Sequence, residues 1–276
     1  MLSVSLTQKV SLFQWEHIPS DEHRNETVIS SMQVFLKELR AAAPEAHLSL
    51  YVQGSPDYGY LAWKGRDVAP MVEHLDLVVA SGYGAVDLTK LPDLVDCRGV
   101  GSNMLPCPSS STAIIRRAAE GWGSSGIVPM SKLVIGLNWY AIDYPLSKKL
   151  TEVNARISFC EAANLAASLP EGAVAWDENS SSWYFNHTNT SSGEPRQMWF
   201  DDEISLGVKY ALARSLGFRG VGMWKASGMW RDSHAGEAPG YSSLWLVQNW
   251  CPERIQRMWA SVRENFTEAA GVRVWD

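Results

Sequence analysis

One short stretch near the start of the sequence combines a strand pattern with a carboxylate at its end. Residues 10–15 are mostly apolar and predict a β-strand, which Glu16 follows directly. Since alternate residues of a strand point to one face, Leu12, Gln14 and Glu16 share a face. A carboxylic acid in such a place can act as a general acid and protonate a leaving group. An ordinary solvated carboxylate is the alternative interpretation of Glu16.

Tryptophan is unusually abundant in this sequence. The chain has 13 Trp residues, and their large aromatic faces can stack on the apolar faces of sugar rings. Trp139 and Trp224 each end an apolar run that predicts a strand. Core packing uses the same residue type, so the pattern favours a carbohydrate site without excluding a structural role for either residue.

Composition and motif spacing exclude several kinds of partner. The formal net charge is −6 and no run of Lys or Arg stands out, so we expect no nucleic-acid binding. No apolar stretch is long enough to span a bilayer, and we expect no membrane contact. The six His form no close-spaced metal pair, and Gly82 and Gly84 do not have phosphate-loop spacing. We therefore assign neither a metal nor a cofactor.

The elements that must position these residues alternate along the chain. Five apolar runs predict strands at residues 10–15, 47–52, 75–81, 132–139 and 219–224. Helical spacing or capping signals predict helices over residues 28–39, 112–123, 154–169, 203–216 and 252–266. Strands that alternate with helices predict an α/β fold with a parallel sheet. Thr112 is the expected cap of its helix.

A long excursion interrupts this alternation. It runs from Tyr144 to Trp199 and contains a polar segment rich in Asn, Ser and Thr at residues 177–196. Residues 183–186 and 197–200 predict the two strands of a hairpin. We expect a single domain over residues 1–276, with residues 141–200 as an insertion within it.

Sequons and cysteines bear on the cellular compartment. Five Asn-x-Ser/Thr sequons lie at Asn25, Asn179, Asn186, Asn189 and Asn265. They favour a secretory route, with chance as the alternative, and residues 1–9 do not look like a signal peptide. Cys97 and Cys107 flank a loop rich in Gly, Ser and Pro. These two cysteines could form a disulfide or remain thiols.

Several segments, taken in order, resemble glycoside hydrolase family 18, and its chitobiase-like members in particular. Residues 132–144 resemble the family's seventh barrel strand, with its Trp-Tyr pair and nearby Asp-Tyr. Residues 197–201 and 218–224 resemble the last helix region and the eighth strand, which ends in Trp. Residues 81–84 stand in place of the sixth-strand Met-x-Tyr-Asp motif, and residues 10–16 in place of the fourth-strand acidic motif.

The resemblance implies a fold and a set of roles. The fold is an incomplete (β/α)8 barrel of the TIM type, with strands corresponding to the fourth through eighth and an insertion after the seventh. In this family the substrate's own 2-acetamido oxygen is the nucleophile. By resemblance Glu16 is the general acid, Tyr83 contacts the acetamide and Gln14 orients it. The implied floor and walls of the sugar site are Trp224, Trp139, Tyr140, Asp143 and Trp199.

Departures from the family pattern predict impaired chemistry. The family's three aspartates are replaced by Lys9, Leu12 and Gln14, and Gly84 stands where an Asp follows the tyrosine. The expected ligand is a chitobiose-like oligosaccharide, hydrolysed slowly. Two alternatives are a carbohydrate-binding protein without turnover and a chain truncated before its first three strands. The family and the sequons together predict a lysosomal or secreted protein.

Overall fold

A parallel sheet of five strands forms the centre of the described structure. The computed structural model describes residues 10–13, 26–56, 63–83, 106–108, 110–146, 155–224 and 251–267. The strands are β1 (Val10–Phe13), β2 (His47–Val52), β3 (Leu77–Ser81), β4 (Leu133–Asn138) and β10 (Gly220–Trp224). They pair in the order β1-β2-β3-β4-β10, every pair parallel, and each lies within a segment that the sequence predicts as a strand.

Burial of β4 explains why its sequence is almost continuously apolar. All six residues of this strand are buried, and Leu133, Ile135 and Leu137 have no exposed surface. A strand between two parallel neighbours is covered on both faces, so alternation of polar and apolar residues disappears. The same core includes Leu36 of the first helix and Leu206 of a later one.

Six α-helices flank the sheets in the described residues. They are α1 (Glu26–Ala42), α2 (Gly65–Val68), α3 (Thr112–Ala118), α4 (Phe159–Ser168), α5 (Glu203–Ser215) and α6 (Pro252–Val262). The cap of α3 is Ser111 rather than the predicted Thr112, because the Ile114 N–H donates to Ser111 Oγ at 3.3 Å. Gly217 lies two residues after the end of α5 and has a φ of +85, a conformation that glycine adopts without strain.

The excursion forms a second, antiparallel sheet. Its strands are β5 (Tyr140–Pro145), β6 (Ala155–Ser158), β7 (Val174–Asp177), β8 (Ser182–Thr188) and β9 (Pro195–Phe200), in the order β6-β5-β9-β8-β7. The predicted hairpin is confirmed, with Trp183 opposite Phe200 and Asn186 opposite Gln197. The start of the helix predicted over residues 154–169 was wrong. Residues 155–158 pair with β5 instead, and Ser158 caps α4.

A disulfide links α4, in the middle of this region, to the residue that precedes α6. It joins Cys160 of α4 to Cys251, which directly precedes α6, with 5.5 Å between their Cα atoms. The sequence did not indicate this pair. Cys97 lies outside the described residues, and Cys107 is buried with its sulfur 3.7 Å from Tyr144 Oη.

A buried ion pair ties the insertion to the helical layer. Lys209 of α5 is completely buried and pairs with Asp201, which follows β9. Lys209 Nζ also donates to Ser182 Oγ at 2.8 Å, and Ser110 Oγ donates to Asp201 Oδ2 at 2.8 Å. Burial lowers the pKa of Lys209, whereas the Asp201 carboxylate opposes that shift. We name these four residues the polar clasp.

Replacing Lys209 by Met should destabilise the fold strongly. The substitution leaves the Asp201 carboxylate buried without its cation, and loss of one partner of a buried pair costs about 3–5 kcal/mol. Arg257→Met is the matched control. Arg257 of α6 pairs at 2.6 Å with Glu203, which lies on the same helix as Lys209, but the Arg257 side chain is half exposed. We expect that change to cost less than about 1 kcal/mol. Urea unfolding of both variants measures the difference, and equal costs would contradict the account.

Candidate sugar-binding site at the carboxyl edge of the parallel sheet

Aromatic side chains meet where the parallel strands end. Tyr51 lies near the carboxyl end of β2, Tyr83 follows β3 by two residues, and Trp224 is the last residue of β10. The carboxyl ends of parallel strands lie at the same edge of a sheet, where barrel enzymes hold their functional groups. We name these three residues the aromatic cluster, and it brings together two of the residues predicted from the sequence.

The geometry within the aromatic cluster is well defined. The rings of Tyr83 and Trp224 stack with centroids 6.1 Å apart and an angle of 17° between their planes. The Tyr51 ring lies 6.4 Å from that of Trp224 at 37°. The Tyr51 hydroxyl donates to Tyr83 Oη at 3.2 Å. Tyr51, Tyr83 and Trp224 all keep part of their surface exposed, as residues that contact a ligand must.

Backbone hydrogen bonds place the two stacked rings. The Gly82 N–H donates to the Gly136 carbonyl at 2.7 Å, and a Cβ atom on Gly82 would lie 2.8 Å from that oxygen. Only glycine permits this approach, so Gly82 lets the chain turn and carry Tyr83 over the sheet edge. Ser81 Oγ donates to the Tyr83 carbonyl at 2.7 Å. The backbone of Trp224 is held by the backbone N–H of Trp139, which donates to the Trp224 carbonyl at 2.9 Å.

The structure places the side chain of Trp139 in the interior. It is 1% exposed, and its indole N–H donates to Tyr210 Oη at 2.9 Å. Its ring also meets that of Trp259 edge-on, with centroids 4.8 Å apart. This environment is that of a packing residue, which was the alternative interpretation from the sequence.

Tyr140 lies beside the aromatic cluster but is mostly covered. It is 5% exposed, and the Arg156 guanidinium lies 5.5 Å from its ring centroid. Burial raises the pKa of the Tyr140 hydroxyl, while the positive charge of Arg156 acts in the opposite direction. The Asn138 side-chain amide donates to its carbonyl at 3.0 Å and fixes the turn from β4 into β5.

Asp143 and Trp199 lie on opposite faces of the antiparallel sheet. Ile142 is paired with Trp199, so the neighbouring residue Asp143 points the other way. Asp143 is buried in an ion pair with Arg196, with 2.5 Å between Oδ2 and Nε, and its Oδ1 lies 2.9 Å from His187 Nε2. These contacts make Asp143 part of a buried charge network.

Trp199 forms part of an aromatic pair on the other face. Its ring stacks on Tyr184 with centroids 4.7 Å apart and an angle of 21°. Its indole N–H donates to Gln197 Oε1 at 2.8 Å, and Trp199 is 8% exposed. Trp199 and Tyr140 share this face of the sheet, because alternate residues of β5 point to the same side.

Two predicted residues, Gln14 and Glu16, lie outside the described residues, and their roles stay predictions. Among the residues that the structure does describe, no group of three His, Cys, Asp or Glu could hold a metal ion. No helix in the same part of the chain is long and apolar enough to cross a membrane. Sequence reasoning missed Tyr51, since a single Tyr within a predicted strand carries no signal of its own.

Comparisons with known proteins agree with the fold. Residues 10–228 match the family model described as glycosyl hydrolases family 18. The protein named probable di-N-acetylchitobiase 1 of Dictyostelium discoideum is 33% identical over 125 residues, which are 37% of this chain and 34% of that protein. Di-N-acetylchitobiase of Rattus norvegicus is 27% identical over 177 residues, which are 57% of this chain and 44% of that protein.

A solved structure extends the similarity to most of the chain. The spore cortex-lytic enzyme SleL of Bacillus megaterium superimposes with a TM-score of 0.61 at 21% identity, covering 88% of this chain and 46% of that one. The chain thus spans between 34% and 46% of the length of these relatives. Since the family model matches well over half of the sequence, the chain belongs to glycoside hydrolase family 18.

Proposed function

We propose that this protein is a chitobiase-like glycoside hydrolase that binds and slowly cleaves oligosaccharides containing N-acetylglucosamine. The observation that carries the proposal is the stacked Tyr83–Trp224 pair at the carboxyl edge of the parallel sheet. A broad indole beside a phenol hydroxyl can take a sugar face and the polar substituent of the same ring. In the proposed correspondence, the five parallel strands are the fourth to eighth strands of a (β/α)8 barrel.

The proposed reaction proceeds in two steps with retention of configuration. In the first, Glu16 protonates the glycosidic oxygen while the 2-acetamido oxygen of the substrate forms a bond to the anomeric carbon. The glycosidic bond breaks and an oxazolinium ring remains. In the second, water adds to the anomeric carbon, gives a proton to Glu16 and reopens the ring. Tyr83 contacts the acetamide throughout, and Trp224 supports the sugar.

Gln14 is the reason we expect the reaction to be slow. Its amide can orient the acetamide by accepting a hydrogen bond, but it carries no charge to offset the developing oxazolinium. Loss of one group aimed at developing charge costs about 10²–10³-fold in rate. The same neutrality favours a second candidate function, a carbohydrate-binding protein without turnover. Hydrolysis of a fluorogenic di-N-acetylchitobioside, together with calorimetry of the same sugar, distinguishes the two.

The proposed cellular route is lysosomal or secreted, and the described sequons differ in how well they could carry a glycan. Asn186 on β8 is exposed, and it is the carbonyl oxygen of its side chain that accepts from Gln197 Nε2, at 2.9 Å. In contrast, Asn265 Nδ2 donates to the Ser261 carbonyl at 2.9 Å and would lie 3.0 Å from a Cβ on Gly207. A sugar on Asn186 would extend into solvent, whereas the Nδ2 atom of Asn265, to which a glycan would attach, is already hydrogen-bonded to the backbone and lies against Gly207.

Glu16→Gln should abolish hydrolysis and leave oligosaccharide binding within a few-fold. The amide keeps the shape of the acid but cannot donate its proton, and a positioned general acid contributes about 10²–10⁴-fold to rate. Release of the fluorophore measures turnover, and calorimetry measures binding. Full activity in this variant would show that Glu16 is not the acid.

Trp224→Ala should weaken binding of the sugar by about 1–3 kcal/mol, because it removes the largest stacking surface of the aromatic cluster. Trp176→Ala is the control, since Trp176 is also partly exposed but contacts Trp183 on the edge of the antiparallel sheet. Calorimetry with tri-N-acetylchitotriose compares them. Equal affinities for the wild type and Trp224→Ala would remove Trp224 from the site.

Protein secreted from a eukaryotic host should lose the mass of one N-glycan when Asn186 is replaced by Gln. The matched Asn265→Gln variant should keep the mass of the parent protein, because Asn265 is packed against a helix. Intact-mass spectrometry before and after glycosidase treatment gives the answer. An unchanged mass for Asn186→Gln would contradict the assignment.

A further inference from the structure

Tyr51 is placed to act on the proposed site through a second tyrosine. It lies on β2, next to β3 in the sheet, and its hydroxyl is 3.2 Å from Tyr83 Oη. Both rings also face Trp224, at centroid distances of 6.4 Å and 6.1 Å. The hydroxyl of Tyr83 is therefore contacted by a residue of the adjacent strand β2, while its ring stacks on Trp224.

The direction of the hydrogen bond determines what Tyr51 can do. Tyr51 donates and Tyr83 accepts, so the bond occupies an acceptor position on Tyr83 Oη. A hydroxyl that accepts a hydrogen bond becomes a stronger donor, because hydrogen bonds in a chain polarise one another. The bond also restricts rotation of the Tyr83 hydroxyl. Both effects favour donation by Tyr83 to a ligand oxygen.

Trp224 and the backbone at Gly82 restrict the position of the Tyr83 ring. The 17° stack of Tyr83 on Trp224 restrains the plane of the Tyr83 ring. The backbone bond from Gly82 to Gly136, at 2.7 Å, fixes where that ring starts from the chain. The ring and its origin are both held in this way, and the bond from Tyr51 acts directly on the orientation of the Tyr83 O–H.

We propose that Tyr51 is a positioning residue that orients and strengthens the Tyr83 hydroxyl for the 2-acetamido group of the substrate. The inference rests on the proposed function, in which Tyr83 contacts that group. It makes Tyr51 a contributor to the reaction of N-acetylated sugars, because the acetamide carbonyl is the oxygen to which Tyr83 would donate. The benefit lies in holding the acetamide oxygen where it can attack the anomeric carbon, so we expect it mainly in kcat.

A double-mutant cycle tests the proposal with a fluorogenic di-N-acetylchitobioside. Tyr51→Phe keeps the ring that faces Trp224 and removes only the donor. We expect kcat to fall about five-fold, the effect of one net hydrogen bond, with KM changed less than about two-fold. In the Tyr83→Phe background the same change should have no further effect. Tyr144→Phe, which deletes the hydroxyl of a tyrosine outside the aromatic cluster, should keep wild-type kcat.

The possible outcomes distinguish failure of the role proposed for Tyr51 from failure of the proposed function. If Tyr51→Phe matches the wild type, or costs as much with Tyr83→Phe as without it, the inference is wrong and the proposed function stands. If the wild type binds the sugar without turnover, there is no reaction for Tyr51 to assist, so the inference is wrong and the second candidate function stands. A wild type that neither cleaves the chitobioside nor binds the disaccharide overturns the proposed function, and the inference with it. Circular dichroism confirms that each variant is folded.

Discussion

The site depends on the close approach of two backbones at the carboxyl edge of the parallel sheet. Gly82 donates to the Gly136 carbonyl at 2.7 Å, at a separation where a Cβ atom could not fit. This contact extends the pairing of β3 and β4 beyond the last residue of β3 and sends the chain across the edge. The Tyr83 ring consequently stacks on that of Trp224, the last residue of β10. Strand β10 pairs with the opposite edge of β4.

The rest of the molecule keeps that edge rigid and partly covered. The turn from β4 into β5 joins the parallel sheet to the antiparallel one, so the insertion begins at the site itself. The polar clasp around Lys209 and Asp201 holds the far end of the insertion against α5. The disulfide between Cys160 and Cys251 fastens α4 to the start of α6.

The parts of the structure with a strong local signal could be predicted from the sequence. The apolar run of β4 and the paired aromatic runs of the hairpin are such signals, and both were located correctly. Residues 155–158 were predicted as helix because their pattern allows it, yet pairing with β5 decides their conformation. Short strands gain most of their stability from partners that the local sequence does not reveal.

Side-chain roles were harder to predict than strands for a similar reason. The sequence singles out Tyr83 and Trp224 because they end recognisable segments, and the structure brings their rings together. Trp139 and Tyr140 are adjacent at the end of β4, and only the turn that follows determines which ring enters the core. Tyr51 had no local signal at all, because what distinguishes it is a hydroxyl contact with a residue 32 positions away.

The central claim is that the acetamide of the sugar takes part in the reaction. The most direct measurement compares the release of one fluorophore from a di-N-acetylchitobioside and from the matching cellobioside, which has hydroxyl groups in place of the acetamides. The account predicts slow but measurable release from the chitobioside and none from the cellobioside. Release from both substrates at similar rates would contradict it, because a reaction that ignores the acetamide needs a different nucleophile.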